Sequence, residues 1–185
     1  KSVQELIALA KARPGQLNVA TSGAGVYLAV ELLHSMSGIK MTPVTYKSTP
    51  QSVTALLGGE VSVGFPVTSA ALPHVRSGKI RGLATTGARR VSIVPDLPTV
   101  AEAGVAGYEA SPWYGLLVRT GTPAEIISRL HAESVKVLRQ PDVKERFVAN
   151  DLEPIGSAPE QFGAYIRSEI AKWGKIVKAT GLRPD

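Results

Sequence analysis

Three short segments rich in small and hydroxyl-bearing residues each precede a helical stretch, and together they could bind a small anion. They cover residues 21–26, 46–51 and 65–69, which we call the first, second and third loops. Backbone N–H groups at the start of a helix have no intrahelical partner, and the positive end of the helix dipole lies there too. The three loops are therefore candidates for binding a carboxylate or a phosphate.

The first loop carries the sharpest pattern of the three. Gly23 and Gly25 permit close approach of the backbone to a ligand, and the Ser22 hydroxyl can donate a hydrogen bond. The alternative is purely structural, with Ser22 capping the next helix and the glycines turning the chain. Both interpretations stay open on this loop alone. A dinucleotide fingerprint fits poorly, because its third glycine would fall on Leu28 and residues 43–47 contain no acid.

The second loop offers a phenol, an ammonium group and two hydroxyls, from Tyr46, Lys47, Ser48 and Thr49. Thr49 can equally be an ordinary N-cap with Pro50 in the first helical turn, and Lys47 can be a solvated charge. The third loop is just as ambiguous. The functional interpretation gains weight only if the fold brings the three loops together.

The sequence carries no recognisable catalytic centre. His34, His74 and His131 fall on or near separate predicted helices, away from the three loops, and no H-E-x-x-H, G-x-S-x-G or P-loop motif occurs. The 185 residues include no cysteine, which excludes thiol catalysis, zinc–thiolate sites and disulfides. We therefore predict a protein that is not an enzyme and that uses neither a cofactor nor a metal.

The chain is basic, with 21 Lys and Arg against 15 Asp and Glu and a formal net charge of +6. Such an excess attracts anions, but the cations are scattered rather than gathered in a stripe, so we do not expect nucleic acid binding. No apolar run approaches the about 18 residues expected of a membrane span. The sequence begins at Lys1 without a signal peptide or an initiator Met, so we expect a processed chain or a piece of a longer protein.

The elements around the loops follow a regular order, in which strands of about five residues alternate with helices of about ten. Strands are predicted at 17–20, 41–46, 61–65 and 80–85, and helices at 2–13, 26–36, 50–57 and 67–77. This alternation predicts an α/β fold with a mainly parallel sheet flanked by helices. Ligands of such sheets bind beyond the carboxyl ends of the strands, which is where the three loops fall.

The second half of the sequence changes in character. A short helix at 99–103, a strand at 113–119 and another short strand at 152–155 are predicted there. Longer helices are predicted at 123–138, 141–148 and 159–179, with a boundary near 115–122. The fold therefore ends in C-terminal helices.

Distinctive short motifs are spread over the whole chain. The most distinctive is residues 95–104, with the sequence PDLPTVAEAG, and the others fall at 22–25, 28–32, 44–47, 56–61, 71–79, 113–117, 121–123 and 169–173. In these motifs the chain resembles the extracytoplasmic solute receptors of tripartite tricarboxylate transporters, the Bug-type periplasmic binding proteins.

The resemblance implies a type II periplasmic-binding-protein fold, a Venus flytrap whose two α/β lobes close on a small carboxylate. It implies a bacterial periplasmic receptor that delivers a mono-, di- or tricarboxylate to membrane transporter subunits. Residues 1–114 would form the second lobe, and residues 115–185 a hinge strand and the returning C-terminal helical segment of the first lobe. The N-terminal portion of the first lobe has no counterpart in this sequence.

Carried over to this sequence, the ligand loops of that family fall on the three loops already selected. The candidate ligand-binding residues are Thr21, Ser22, Gly23, Ala24, Gly25, Val26, Tyr46, Lys47, Ser48, Thr49, Phe65, Pro66 and Thr68. Pro66 stands where the family commonly has an aspartate that recognises amines or hydroxyls, which argues against amino-acid ligands.

Two further expectations follow from the same interpretation. A ligand-sensing effector domain of a signalling or regulatory protein is the alternative function, because it can use the same bilobal architecture. Helices that lack their sheet would expose apolar surface near Ile126, Leu130 and Phe147, so we also expect self-association of this chain.

Overall fold

The computed structural model describes residues 1–150 and 152–181. Residues 151 and 182–185, which belong to the predicted segment 115–185, lie outside the described residues. The described helices are α1 (Val3–Ala12), α2 (Ala24–Ser37), α3 (Thr49–Leu57), α4 (Thr68–Arg76), α5 (Ala124–Leu138), α6 (Pro141–Ala149) and α7 (Pro159–Thr180). The described strands are β1 (Asn18–Thr21), β2 (Thr42–Thr45) and β3 (Val63–Gly64).

The chain divides into two compact units. The first unit contains Lys1–Pro112 together with the chain from Ile176 onward, and the second contains Trp113–Lys175.

The first unit is built on a parallel sheet. β1 lies in the centre and pairs in parallel with β2 on one side and β3 on the other. Thr21 lies opposite Thr45, and Ala20 lies opposite Gly64, so the carboxyl ends of the three strands share one edge. The predicted α/β fold with a parallel sheet is confirmed, and these strand bounds shift by only one or two residues.

The core of the first unit surrounds the central strand. Val19 is 0% exposed and Ala20 is 2% exposed, and α2 packs against β1 with its buried residues Val30 and Leu33. Farther along the chain, the Tyr108 side chain is buried and its hydroxyl donates to the Ala29 carbonyl at 2.9 Å. The apolar pattern of α2 therefore reflects core packing behind the first loop.

The predicted strand at 80–85 is wrong. Only Thr85 pairs, in an isolated parallel bridge with Thr99. The Ile80 N–H instead donates to the His74 carbonyl, which continues the end of α4 into this segment. The apolar alternation that predicted a strand reflects packing rather than a sheet ladder.

The predicted short helix at 99–103 is also wrong, because the chain there forms a succession of turns. Thr99 and Glu102 bond reciprocally: the Thr99 hydroxyl accepts from the Glu102 N–H at 3.1 Å, and the Glu102 carboxylate accepts from the Thr99 N–H at 3.0 Å. This is the capping box that opens a helix. Gly104, with φ +110°, ends the helical path after a single turn.

The second unit contains α5, α6 and most of α7, which confirms the predicted long helices to within two residues. The predicted strands at 113–119 and 152–155 are wrong, because these segments pair with no strand among the described residues. A strand needs a neighbour for its N–H and C=O groups, and the described part of this unit offers only helices. No described helix is both long and apolar enough to span a bilayer.

The helices of the second unit leave apolar side chains exposed. Neither α5 nor α6 contains a buried residue. Ile126 is 50% exposed and Leu130 is 39% exposed, whereas Phe147 is half-buried. Self-association through this surface stays a prediction.

Candidate functional site

The carboxyl edge of the sheet brings the starts of three helices together. The last strand residues are Thr21, Thr45 and Gly64, and the first helical residues of the elements that follow are Ala24, Thr49 and Thr68. Because all three strands are parallel and in register, the first, second and third loops leave the sheet at the same edge. The structure therefore assembles the three loops that the sequence selected one by one.

The first loop keeps its polar groups available. Gly23 is the N-cap of α2 with φ +91°, a conformation that side chains disfavour, and no side chain caps this helix. The interpretation of Ser22 as the helix cap is therefore wrong. The amides of Ala24, Gly25 and Val26 form the first turn, where no intrahelical carbonyl is in reach. A Cβ atom added at Gly23 or Gly25 would meet nothing within 4 Å, so the backbone is open to an approaching group.

Thr21 is a structural member of this edge. Its side chain is buried, at 1% exposure, and its hydroxyl lies 3.2 Å from the Thr45 hydroxyl and 3.4 Å from the Val44 carbonyl. These contacts link β1 to β2 at their carboxyl ends. Thr21 thus positions the first loop, and its hydroxyl is engaged within the sheet.

Tyr46 is engaged in the same way. Its N–H donates to the Thr21 carbonyl at 2.8 Å, and its ring packs against the buried cluster around Ala20. Partial burial and the negative charge of the neighbouring Glu60 carboxylate raise the pKa of Tyr46. Sequence spacing does not predict this proximity, because Tyr46 precedes α3 and Glu60 follows it. The backbone N–H and the packed ring of Tyr46 therefore stabilise the second loop.

The remaining residues of the second loop present a helix start. Ser48 is the N-cap, in extended conformation and without a side-chain cap bond, so the prediction of Thr49 as N-cap is wrong by one residue. The reason is that the Ser48 carbonyl accepts the first helical bond, from the Ser52 N–H at 3.2 Å. The Lys47 N–H donates to the Gln51 side chain at 3.1 Å, and the Lys47 side chain is exposed.

The third loop is short and mostly apolar. Phe65 and Pro66 are half-buried, and Val67 is the N-cap of α4 without a side-chain cap bond. Thr68 is the first helical residue, so its hydroxyl and its backbone amide lie at the helix start. This loop contributes no charged group to the edge.

The edge is an open surface rather than an enclosed pocket. A cavity of about 490 Å³ lies beside the second loop, and its lining consists of Tyr46, Pro50, Gln51, Thr54, Ala55 and Glu60. No residue of the first or third loop lines it. The groups available to a ligand at this edge include backbone amides at three helix starts and the hydroxyls of Ser22, Ser48 and Thr68.

His34 contributes to local structure rather than to the candidate site. The His34 Nε2 accepts from the Met41 N–H at 3.2 Å, and its Nδ1 lies 3.3 Å from a Glu31 carboxylate oxygen. Within the described residues, no group of three or more His, Asp or Glu side chains could hold a metal ion.

A parallel α/β unit with helix starts converging at the carboxyl edge of its sheet defines an α/β ligand-binding domain. The chain belongs to the tripartite tricarboxylate transporter family of receptors, whose family model matches residues 1–182. This confirms the resemblance found in the motifs. The family description is of receptors rather than of enzymes.

Individual relatives agree with this assignment. The chain is 34% identical over 184 residues to Protein BugT of Bordetella pertussis, covering 98% of this chain and 56% of that protein. Among solved structures, R. palustris Rpa4515 with adipate matches with a TM-score of 0.78 and 33% identity, covering 100% of this chain and 62% of that one. MatC from Rhodopseudomonas palustris with bound malate matches with a TM-score of 0.73 and 29% identity, covering 96% and 62%.

The coverage is unequal in every one of these comparisons. The chain is matched almost completely, but it spans only 56% of BugT and 62% of the two solved chains.

Proposed function

We propose that the protein is a receptor that binds a small organic carboxylate at the carboxyl edge of this sheet and delivers it to membrane transporter subunits outside the cytoplasm. The observation that carries the proposal is the convergence of three helix starts at one edge. Family membership supports it, and so do the dicarboxylates adipate and malate in the two similar structures. In this proposal residues 1–114 form one wall of the binding cleft, and residues 115–185 return to the other lobe.

The contacts of the edge divide its residues into two roles. The Ser22 and Ser48 hydroxyls and the amides of residues 24–26 and of Thr49 bind one carboxylate group directly. Thr21 and Tyr46 hold the loops in place, because the Thr21 hydroxyl and the Tyr46 N–H are already bonded within the protein. Tyr46 therefore supports the site through its backbone N–H and its packed ring.

Isothermal titration calorimetry of the full-length protein against mono-, di- and tricarboxylates tests the proposal. We expect heat of binding with at least one member of the panel. Ser22→Ala should weaken that binding about tenfold, because a hydrogen bond to a charged group contributes about 1.5 kcal/mol or more. Absence of binding to every member would contradict the proposal.

Ser62→Ala is the matched control for this experiment. Ser62 is exposed and precedes β3, at the opposite edge of the sheet from the three loops. Its replacement should leave the affinity unchanged. Equal losses in Ser22→Ala and Ser62→Ala would show that the carboxyl edge is not the binding surface.

A further inference from the structure

The sheet of the first unit has an outer edge at β2, which pairs with β1 on one side and with no strand on the other among the described residues. The Thr42 N–H donates to the Leu17 carbonyl, just before β1, at 2.8 Å. Backbone groups alternate in direction along a strand, so those of Met41 and Pro43, on either side of Thr42, point away from β1. An outward N–H of this kind can pair with a strand of another chain.

The two outward positions at the start of β2 are both closed, in different ways. Pro43 has no backbone N–H, which is why proline is tolerated in an edge strand. Met41 is 1% exposed, and its N–H donates to His34 Nε2 at 3.2 Å. Without that acceptor, the Met41 N–H would be buried and unpaired, which is costly.

His34 lies in the last turn of α2, where the chain reverses toward β2. Its carbonyl accepts from the Gly38 N–H at 2.9 Å, and Gly38 has φ +67°, the left-handed conformation that ends many helices. Met41 follows three residues later and meets the His34 ring. His34 therefore binds the returning chain twice, through its carbonyl and through its side chain.

Glu31, three residues before His34 on α2, orients the imidazole ring. A Glu31 carboxylate oxygen lies 3.3 Å from His34 Nδ1, and the two side chains are only 17% and 11% exposed. An ionised carboxylate can only accept a hydrogen bond, so Nδ1 must carry a proton to bond it. Nε2 accepts from the Met41 N–H and therefore carries none. The two contacts together select one tautomer of the neutral ring.

We propose that His34, held by Glu31 in its Nδ1–H tautomer, caps the Met41 N–H and, together with Pro43, closes the start of the outer edge of β2 to pairing with another chain. Proline and an occupied N–H leave an incoming strand no donor at these two positions. The capped end of β2 is opposite the second loop. The inference thus goes beyond the proposed function and does not depend on carboxylate binding.

Nuclear magnetic resonance of the 15N-labelled chain tests the cap directly. At about pH 8 a free imidazole is neutral, so the tautomer can be identified from the 15N shifts of its two ring nitrogens. We expect an unprotonated His34 Nε2 and a scalar coupling between it and the Met41 amide nitrogen across the hydrogen bond. Both signals are assigned by their loss in His34→Gln. A protonated His34 Nε2 would overturn the proposal.

Hydrogen exchange of the Met41 amide tests the cap by substitution. His34→Ala should accelerate this exchange at least about tenfold, because a buried N–H loses its acceptor. The amide oxygen of His34→Gln can take the place of Nε2 and should preserve the protection, whereas the shorter side chain of His34→Asn reaches only the place of Nδ1 and should not. The Val19 amide, in the central strand, corrects for changes in global stability. Unchanged exchange of Met41 relative to Val19 in His34→Ala would contradict the proposal.

Light scattering over a range of concentrations tests the closure of the edge. His34→Ala should associate more strongly than His34→Gln, because only the first frees the Met41 N–H. Val53→Ala, which removes buried methyl groups from α3, is the control for lost stability. If His34→Ala does not fold, His34→Asn takes its place in both measurements. Association no stronger than that of Val53→Ala would overturn the edge closure.

Discussion

The two units of this chain differ in which side chains they bury. In the first unit Val19, Val30, Met41 and Tyr108 are 1% exposed or less. In the second unit the described apolar residues all keep some exposure, and the one buried side chain is the carboxylate of Glu169. The first unit therefore has a hydrophobic core of its own, whereas the second has none among its described residues.

The two units therefore differ in how strongly side-chain packing specifies their structures. Core packing in the first unit fixes the sheet and so places the three loops at one edge. The second unit keeps large apolar side chains exposed, including Tyr114, Leu116 and Leu117 at 79%, 68% and 70%. Exposed apolar patches of this kind typically mark interaction surfaces.

The largest expected effect comes from the core of the first unit. Tyr108→Ala removes a buried ring and should lower the free energy of unfolding by about 3–5 kcal/mol. Tyr114→Ala, in the second unit, removes an exposed ring and should change it by about 0.5 kcal/mol or less. Urea denaturation followed by circular dichroism measures both. Comparable losses of unfolding free energy for the two tyrosine variants would contradict the difference in core packing between the units.

A smaller effect concerns association of the chain. We expect the exposed leucines of the second unit to become buried between two copies of the chain when it associates. The double substitution Leu116→Lys and Leu117→Lys should then raise the dissociation constant at least about tenfold. The reason is that burying one leucine contributes about 1.5–3 kcal/mol. Light scattering over a range of concentrations measures this. Leu9→Lys, at a 42% exposed position in the first unit, is the control. An unsubstituted chain that stays monomeric at every concentration would refute the association.

The contrast between the units also explains what the sequence could predict. The alternation of strands and helices at 17–77 predicted the parallel sheet, because each buried strand there is short, apolar and bounded by a turn. Strands at 80–85, 113–119 and 152–155 were predicted from the same kind of pattern and are wrong. Alternating apolar residues indicate only that a segment packs on something, and the partner can be a turn, as for Thr85, or a helix, as for Trp113.

The candidate site shows the same limit at single residues. Local spacing predicted which loops meet, because parallel strands fix that geometry. It could not predict that Gly23 rather than Ser22 occupies the N-cap, or that Tyr46 and Glu60 line the same cavity from opposite sides of α3 in the chain. Pairings between residues far apart in sequence depend on side-chain placement, which no motif records.

A slight pH dependence of stability is expected from one carboxylate of the first unit, Glu102. Hydrogen bonds from the Thr99 N–H and from Arg90 hold the pKa of Glu102 below its ordinary value of 4.5. At pH values between the lowered pKa and 4.5, the folded state binds fewer protons than the unfolded state. The contribution of the Glu102 carboxylate to stability is therefore complete above pH 4.5 and is lost as the pH falls through the lowered pKa. The Tm difference between the unsubstituted chain and Glu102→Gln should therefore shrink on acidification from about pH 6 to about pH 3. The shift should be slight, because Glu102 and Arg90 are 48% and 49% exposed and solvent screens the pair. A Tm difference that stays constant over this range would show that the Thr99–Glu102 turn does not depend on the carboxylate charge.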